Sequence, residues 1–256
     1  MSYFLFATGA ISLSSLVFVQ YRNYQESVLK SNFLSVPDRA KFFLDIHERI
    51  AEHYEYEMKE YEWAKRIDKY RKVLCSYSEG KTLEVGIGTG LNFGFYSSLI
   101  SLTGIDWSGK MLEKCKENAK GRTKLLQMDA RDLKFEDESF DSVVATFVLS
   151  SSDTPEKVIK EMERVCKKGG KVLILDRGRS DDSLNSLWLD FYRFENLFKF
   201  GYDQCADIEK IVKKSGLTIE VQEQRQGNSI YFYMLSKLNI ETSFRTQNDS
   251  PASKRS

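Results

Sequence analysis

Three glycines at alternate positions, Gly86, Gly88 and Gly90, follow a short apolar run, 82–85, in which Glu84 is the one charged residue. Two further carboxylates, Asp106 and Asp129, close later apolar runs. A buried strand that runs into glycines can turn sharply and let a ligand approach the backbone. The segment 91–100 is expected as a helix whose N-terminus, with its free N–H groups and partial positive charge, faces that ligand. Asp106 stands about 20 residues beyond the first glycine, a spacing suited to a carboxylate that accepts hydrogen bonds from ribose hydroxyls. The chemistry these residues suggest is the binding of a nucleotide-like cofactor.

The glycine spacing narrows the cofactor. A dinucleotide fold wants G-x-G-x-x-G, and Leu91 stands where the third glycine of that pattern would fall. The nicotinamide-dependent oxidoreductase reading is weakened there. The run Glu84-Val85-Gly86-Ile87-Gly88-Thr89-Gly90 instead resembles motif I of the class I S-adenosylmethionine (SAM) methyltransferases. That resemblance implies that Glu84 helps fix the methionine end of SAM and that the three glycines make room for the rest. It also implies that Asp129 accepts from the adenine amine while the N–H of Ala130 meets a ring nitrogen. Thr146, at the end of the fourth expected strand, joins the cofactor set. Ile50-Ala51-Glu52-His53-Tyr54-Glu55 resembles the "I-A-x-x-Y-D" segment of quinone-type methyltransferases, where the tyrosine helps cover SAM. Glu55 replaces the usual Asp, so only Tyr54 is carried over.

The elements needed to position these residues can be read from pattern. Strands are expected at 82–85, 102–105, 124–128, 142–147, 171–175, 217–221 and 230–235. Helices are expected at 108–119, with Ser108 as N-cap, at 156–167, started by Thr154-Pro155, and at 205–215. Alternating strands and helices ending in a strand pair predict an α/β fold: a doubly wound, Rossmann-like, seven-stranded class I methyltransferase sheet. A long helical stretch, 37–77, carries Phe42, Phe43, Ile46, Ile50 and Tyr54 at helical spacing, expected to pack on the sheet. The expected organisation is an N-terminal transmembrane anchor (1–21), a helical linker and cap (22–77), the methyltransferase domain (78–240) and a disordered tail (241–256).

Composition limits the partners. The chain has 256 residues and a formal net charge of +1, so there is no bulk electrostatic drive towards nucleic acid, and none is expected as a partner. Cys75, Cys115, Cys166 and Cys205 are widely spaced and only two histidines are present, so no metal site is expected. The first 21 residues carry no charged side chain, and Arg22, Lys30, Arg39 and Lys41 follow. This reads as a single membrane span with the enzyme domain on the cytosolic or matrix side.

Three pieces give a closer resemblance: Leu83 through Phe93, Val144 through Ser151, and Val165-Cys166-Lys167-Lys168-Gly169-Gly170-Lys171 with Gly178-Arg179-Ser180. With the apolar N-terminus they look like the membrane-anchored methyltransferase-like family. That family includes a fungal mitochondrial inner-membrane member and the animal methyltransferase-like 7 proteins of the endoplasmic reticulum. The resemblance implies a single-pass membrane protein, with the mitochondrial inner membrane favoured and the endoplasmic reticulum the alternative. The animal members imply thiol methylation.

Relatives often carry Glu-His-Gly after the fifth strand, where this chain has Asp176-Arg177-Gly178, and an arginine cannot take a proton. A thiol acceptor needs little base, because its thiolate is accessible near neutral pH. No catalytic residue stands out. Trp188, Phe191, Tyr192, Phe194, Phe198, Phe200 and Tyr202 could roof an apolar pocket, touch a bilayer or pack as a lid helix. The reading is a SAM-dependent methyltransferase for a small apolar or thiol-bearing acceptor. The alternative is a catalytically weak SAM fold acting as a mitochondrial membrane assembly factor.

Overall fold

The computed structural model describes residues 38–58, 66–119, 123–225, 227 and 229–238, with Gln20, Asn23, Tyr24 and Ser27. Seven strands lie in one sheet: Lys81–Val85 (β1), Ser101–Asp106 (β2), Lys124–Gln127 (β3), Phe140–Thr146 (β4), Cys166–Arg177 (β5), Thr218–Arg225 (β6) and Ile230–Ser236 (β7). Their order is β3-β2-β1-β4-β5-β7-β6. The first five pair in parallel, and β7 runs antiparallel to both β5 and β6. The chain moves outward from β1 to β3 and then returns to place β4 beside β1. At such a reversal the loops leave on opposite sides, and a crevice opens at the carboxyl ends of the strands. The expected seven-stranded α/β sheet is therefore present.

The central strands are apolar throughout because both faces are covered. On one face Leu83, Val85, Val143, Ala145, Val172 and Ile174 pack against Pro155–Val165 and Ile208–Lys213. On the other face Val144, Leu173, Leu175 and Phe232 pack against Ile67 and Leu74 of the helix Ile67–Ser76. We number the helices α1 (Arg39–Ile50), α2 (Ile67–Ser76), α3 (Gly109–Asn118), α4 (Pro155–Val165), α5 (Ser183–Phe200) and α6 (Ile208–Lys213). Ser108 caps α3 by accepting from the N–H of Met111, and Pro155 opens α4, both as expected.

Four expectations are corrected. The stretch 37–77 is not one helix: α1 ends at Ile50, a turn follows, and Arg66 takes a left-handed backbone before α2. The apolar stripe of α1 packs on helices rather than on the sheet. Phe43 meets Leu197, with Phe42, Phe194 and Phe198 around them, while Ile46 and Ile50 meet Met111. No regular α-helix follows the glycines; 91–100 forms turns and one 3₁₀ turn, Phe93–Phe95. Gly94 and the aromatic and serine residues around it are weak helix formers, and Asn92 is drawn inward by Glu84.

The fourth correction concerns location. The expected single-pass membrane placement is not supported: among the described residues no helix is long and apolar enough to cross a membrane. The segment 1–21, on which the span was read, lies outside the described residues except for Gln20, as does the tail 241–256.

Candidate active site

The crevice between the β1 and β4 ends opens into a cleft of about 980 Å³, its open mouth included. Gly86, Gly88, Asp106, Asp129, Ala130, Thr146 and Tyr54 all line it, brought together from five separate segments. Gly86, Gly88 and Gly90 all have positive φ (+64°, +57° and +89°), the left-handed region that favours glycine. Their roles differ. A Cβ on Gly88 would meet nothing within 4 Å, so this residue presents bare backbone to the cleft. A Cβ on Gly86 would lie 2.6 Å from Val148, and one on Gly90 would run into the Phe93 ring. Gly90 is not on the cleft wall; it gives Phe93 room to pack beneath the loop.

Glu84 is not on the wall either. Its carboxylate is 1% exposed and lies under the glycine loop. It accepts from Asn92 Nδ2 at 2.7 Å and from the Tyr96 hydroxyl at 3.0 Å. Arg71 of α2 donates from Nη1 to Asn92 Oδ1 at 2.9 Å and to Thr146 Oγ1 at 3.0 Å. A buried network thus ties α2, the loop after β1 and the end of β4 together. Burial pushes the Glu84 carboxyl up to about 7, against the hydrogen bonds from Asn92 and Tyr96 and the charge of Arg71, which pull it down. Arg71 and Asn92 were missed in the sequence. The available signal was a lone arginine on the apolar face of its helix, in line with Ile67, Leu74 and Cys75.

Asp106 accepts from the N–H groups of Gly88 and Ser108, both at 2.9 Å, and its carboxyl lines the cleft. Burial pushes it up to about 6, and those two N–H donors pull it back down. Asp129 sits at the turn after β3, where its carboxylate is already held by Arg131, at 2.9 Å to Nε and 2.6 Å to Nη2. Burial raises its pKa, but the hydrogen bonds and charge of Arg131 outweigh this and leave it below the usual range. Arg131 also reaches Asp153 at 2.9 Å and lies 4.6 Å from the centre of the Trp107 ring. Asp129 is therefore a shared acceptor rather than a free one. Trp107, Arg131 and Asp153 all line this end and were not singled out in the sequence.

The opposite end is walled by Phe43, Leu44 and His47 of α1, by Phe147 and Val148 after β4, and by Arg177, Phe200 and Tyr202. Phe147 has φ +60°, a strained backbone for a bulky residue, while its N–H donates to Leu175 O at 2.7 Å. The Arg177 guanidinium lies 4.1 Å from the Phe147 ring centre and 4.0 Å from that of Tyr202. Desolvation in the cleft wall pushes His47 down to about 4, so its imidazole is neutral near pH 7. The aromatic stretch divides in space. Phe200 and Tyr202 roof the cleft, Phe194 and Phe198 pack on α1, and Leu184 and Trp188 are 80% and 58% exposed.

The residues fit SAM. Bare backbone at Gly88, a carboxylate at Asp106 and a polar corner at Asp129-Ala130 converge on one cleft at the carboxyl edge of the sheet. Comparison with known proteins agrees. Residues 83–174 match the methyltransferase domain family. Over 161 residues the chain is 37% identical to phosphatidylethanolamine N-methyltransferase of Cereibacter sphaeroides, covering 60% of this chain and 78% of that protein. It is 25% identical over 230 residues to the mitochondrial methyltransferase OMS1 of Saccharomyces cerevisiae, covering 81% of this chain and 48%, about half, of that protein. Its fold resembles a SAM-dependent methyltransferase of Thermotoga maritima, with a TM-score of 0.60 at 21% identity, covering 76% of this chain and 99% of that one. The chain belongs to the SAM-dependent methyltransferases. Its methyl donor is SAM.

Proposed function

We propose that the chain transfers the methyl group of SAM to a compact nucleophile, a thiol or an amine, carried on a largely apolar acceptor. The observation that carries this reading is the make-up of the acceptor end. Aromatic and aliphatic side chains line it, with Arg177 and a neutral His47 among its described wall residues. SAM, when bound, supplies a methyl group already activated by the sulfonium, so the chain need only align the nucleophile and exclude water. Gly88, Asp106, Asp129 and Ala130 hold the donor, with Tyr54 and Thr146 beside it. Glu84 acts from beneath the loop, as a positioning residue. Phe43, Phe147, Phe200 and Tyr202 bury the acceptor. A cation at Arg177 disfavours a second positive charge nearby, which keeps an amine neutral or a thiol ionised. The printed name of the Cereibacter relative supports the amine arm. The assembly-factor reading is not favoured, because the cleft is open and the relatives are methyltransferases.

The test is transfer of labelled methyl from SAM to a panel of long-chain thiols, amines, alcohols and phenols. Turnover is expected with a thiol or an amine. Turnover confined to alcohols or phenols, which need a stronger base than the low-pKa imidazole of His47, refutes the reading.

A further inference from the structure

We propose that α1 forms the wall along which the apolar body of the acceptor lies, as a single extended chain running from His47 to Ala40, with Ala40 limiting the length of chain the cleft takes. This rests on the assignment of that end of the cleft to the acceptor, and adds the shape of the molecule it takes. Three observations converge. The first is the spacing of the wall residues. Ala40, Phe43, Leu44 and His47 stand at i, i+3, i+4 and i+7, which puts them on one face of α1, and all four line the cleft. At a rise of about 1.5 Å per residue this stripe runs about 10 Å. α1 packs on the protein mainly through a neighbouring stripe. Phe42 lies 5.1 Å from Phe198, ring centre to ring centre, and Ile46 and Ile50 meet Met111. Phe43 serves both stripes, because it also packs on Leu197. α1 thus carries more apolar surface than its packing on α3 and α5 uses, and the surplus, with Leu44 half-buried, turns to the cleft.

The second observation is the direction of the stripe. The C-terminal half of α1 sits at the donor end. Glu48 accepts from the N–H of Lys110 at 3.3 Å, and Ile46 and Ile50 meet Met111, which itself lines the cleft. Lys110 and Met111 open α3 directly after Ser108, whose N–H donates to Asp106. His47 is therefore the donor-side end of the stripe, and Ala40 lies two turns further away. A nucleophile has to reach the methyl group of the donor, so the chain behind it extends towards Ala40. The third observation is the relief of the wall. Ala40 is the smallest side chain of the stripe and is partly exposed, while Phe43 and Leu44 make its middle broad and apolar. A small residue at the outer end leaves the chain a way out, and a larger one would stop it. Carbon–carbon bonds of about 1.5 Å at tetrahedral angles advance a chain about 1.25 Å per carbon, so about 10 Å of wall matches about eight carbons.

The experiment is calorimetric titration of the full chain, loaded with S-adenosylhomocysteine, with straight-chain alcohols from butanol to dodecanol, which vary the chain and leave the nucleophile constant. Affinity is expected to rise about fourfold per methylene up to about eight carbons and then to level off. Ala40→Phe is expected to bring the levelling point down to about six carbons or fewer, while affinities for butanol and SAM stay within about threefold. Affinity that ignores chain length, or that rises undiminished to dodecanol, overturns the proposal whether or not the variant folds. So does an unshifted levelling point in folded Ala40→Phe. If Ala40→Phe does not fold, Leu44→Ala, in the middle of the stripe, is expected to weaken octanol several-fold more than butanol, and equal weakening of the two overturns the proposal. Failure here with thiol or amine turnover intact removes only the chain wall. A levelling point near eight carbons with turnover confined to alcohols or phenols removes the nucleophile assignment instead.

Discussion

Asp106 is the residue on which the proposed donor binding turns most directly. Among the described wall carboxylates it is the one with backbone N–H partners and no arginine side chain on it. Replacing it with Ala removes charge-assisted hydrogen bonds, each typically contributing about 1.5–3 kcal/mol. SAM affinity should fall roughly ten- to a hundredfold on that scale. Calorimetry with SAM checks this, and unchanged affinity refutes the assignment to ribose. Protonation acts in the same direction. Because burial places the Asp106 carboxyl at about 6, SAM affinity should weaken as pH falls through that value. The apo protein responds with the opposite sign. Asp106 and Glu84 rise from 3.8 to about 6 and from 4.5 to about 7, so over those windows the folded state binds more protons than the unfolded one. Their contribution to stability is full below the lower values and is lost as pH rises through 6 and 7. Glu84→Gln should therefore reduce the stability lost between pH 5 and pH 8. Urea midpoints at the two pH values measure it, and an equal loss in both proteins contradicts the buried-carboxylate account.

At the scale of elements, α2 deserves comparison with the part read for it in sequence. The sequence places it at the end of one long helix, with Arg71 in line with Ile67, Leu74 and Cys75 as the one sign that an arginine faces inward. In the structure α2 covers the sheet with Ile67 and Leu74 and reaches the glycine loop through Arg71. Arg71→Met keeps the length and apolar stem of the side chain but leaves Asn92, Thr146 and Glu84 without their cation. Breaking a buried charged network by removing one member typically costs about 3–5 kcal/mol, and a loss near the lower end is expected here because Asn92 and Thr146, which accept from Arg71, are neutral. Chemical denaturation should show it, together with weaker SAM binding as the loop loosens. A variant as stable as the wild type would mean that the network carries little energy. The same element explains what was legible. The strands, the cap at Ser108, the helix start at Pro155 and the glycine turn follow from local pattern. The helix read after the glycines failed because Asn92 and Phe93 are committed to tertiary packing, Asn92 to Glu84 below the loop and Phe93 to Leu112 and Cys115 of α3. Periodicity carries no record of such commitments.

For the molecule as a whole, the half of the cleft proposed for the donor was legible and the half proposed for the acceptor largely was not. Gly86, Asp106 and Asp129 belong to successive strand ends, so a strand-by-strand reading brings them together. The acceptor end joins α1, the β4 and β5 ends and the residues after α5, which are far apart in the chain, and only tertiary packing shows that Phe43, Phe147 and Tyr202 face one space. This construction predicts how the molecule responds to its donor. The sheet core is fully buried and independent of the ligand, with Val143, Leu173, Ile174 and Tyr233 at 0% exposure. By contrast α1 is held by a small aromatic cluster with α5 and by Met111, and it supplies Phe43, His47 and the following Tyr54 to the cleft wall. Elements with few apolar contacts open more readily than a packed core, and a ligand that contacts them suppresses that opening. Adding S-adenosylhomocysteine should therefore slow amide exchange in α1, around residue 54 and across 200–206, by about tenfold or more where about 1.4 kcal/mol of binding free energy is coupled to closing. Exchange in β4, β5 and β7 should change little. Exchange measured by mass spectrometry with and without the ligand decides it. Protection confined to 86–90 and 106–108, with α1 unaffected, would show that the helical cover does not respond to the donor, and that acceptor access is set by the fixed walls of the cleft alone.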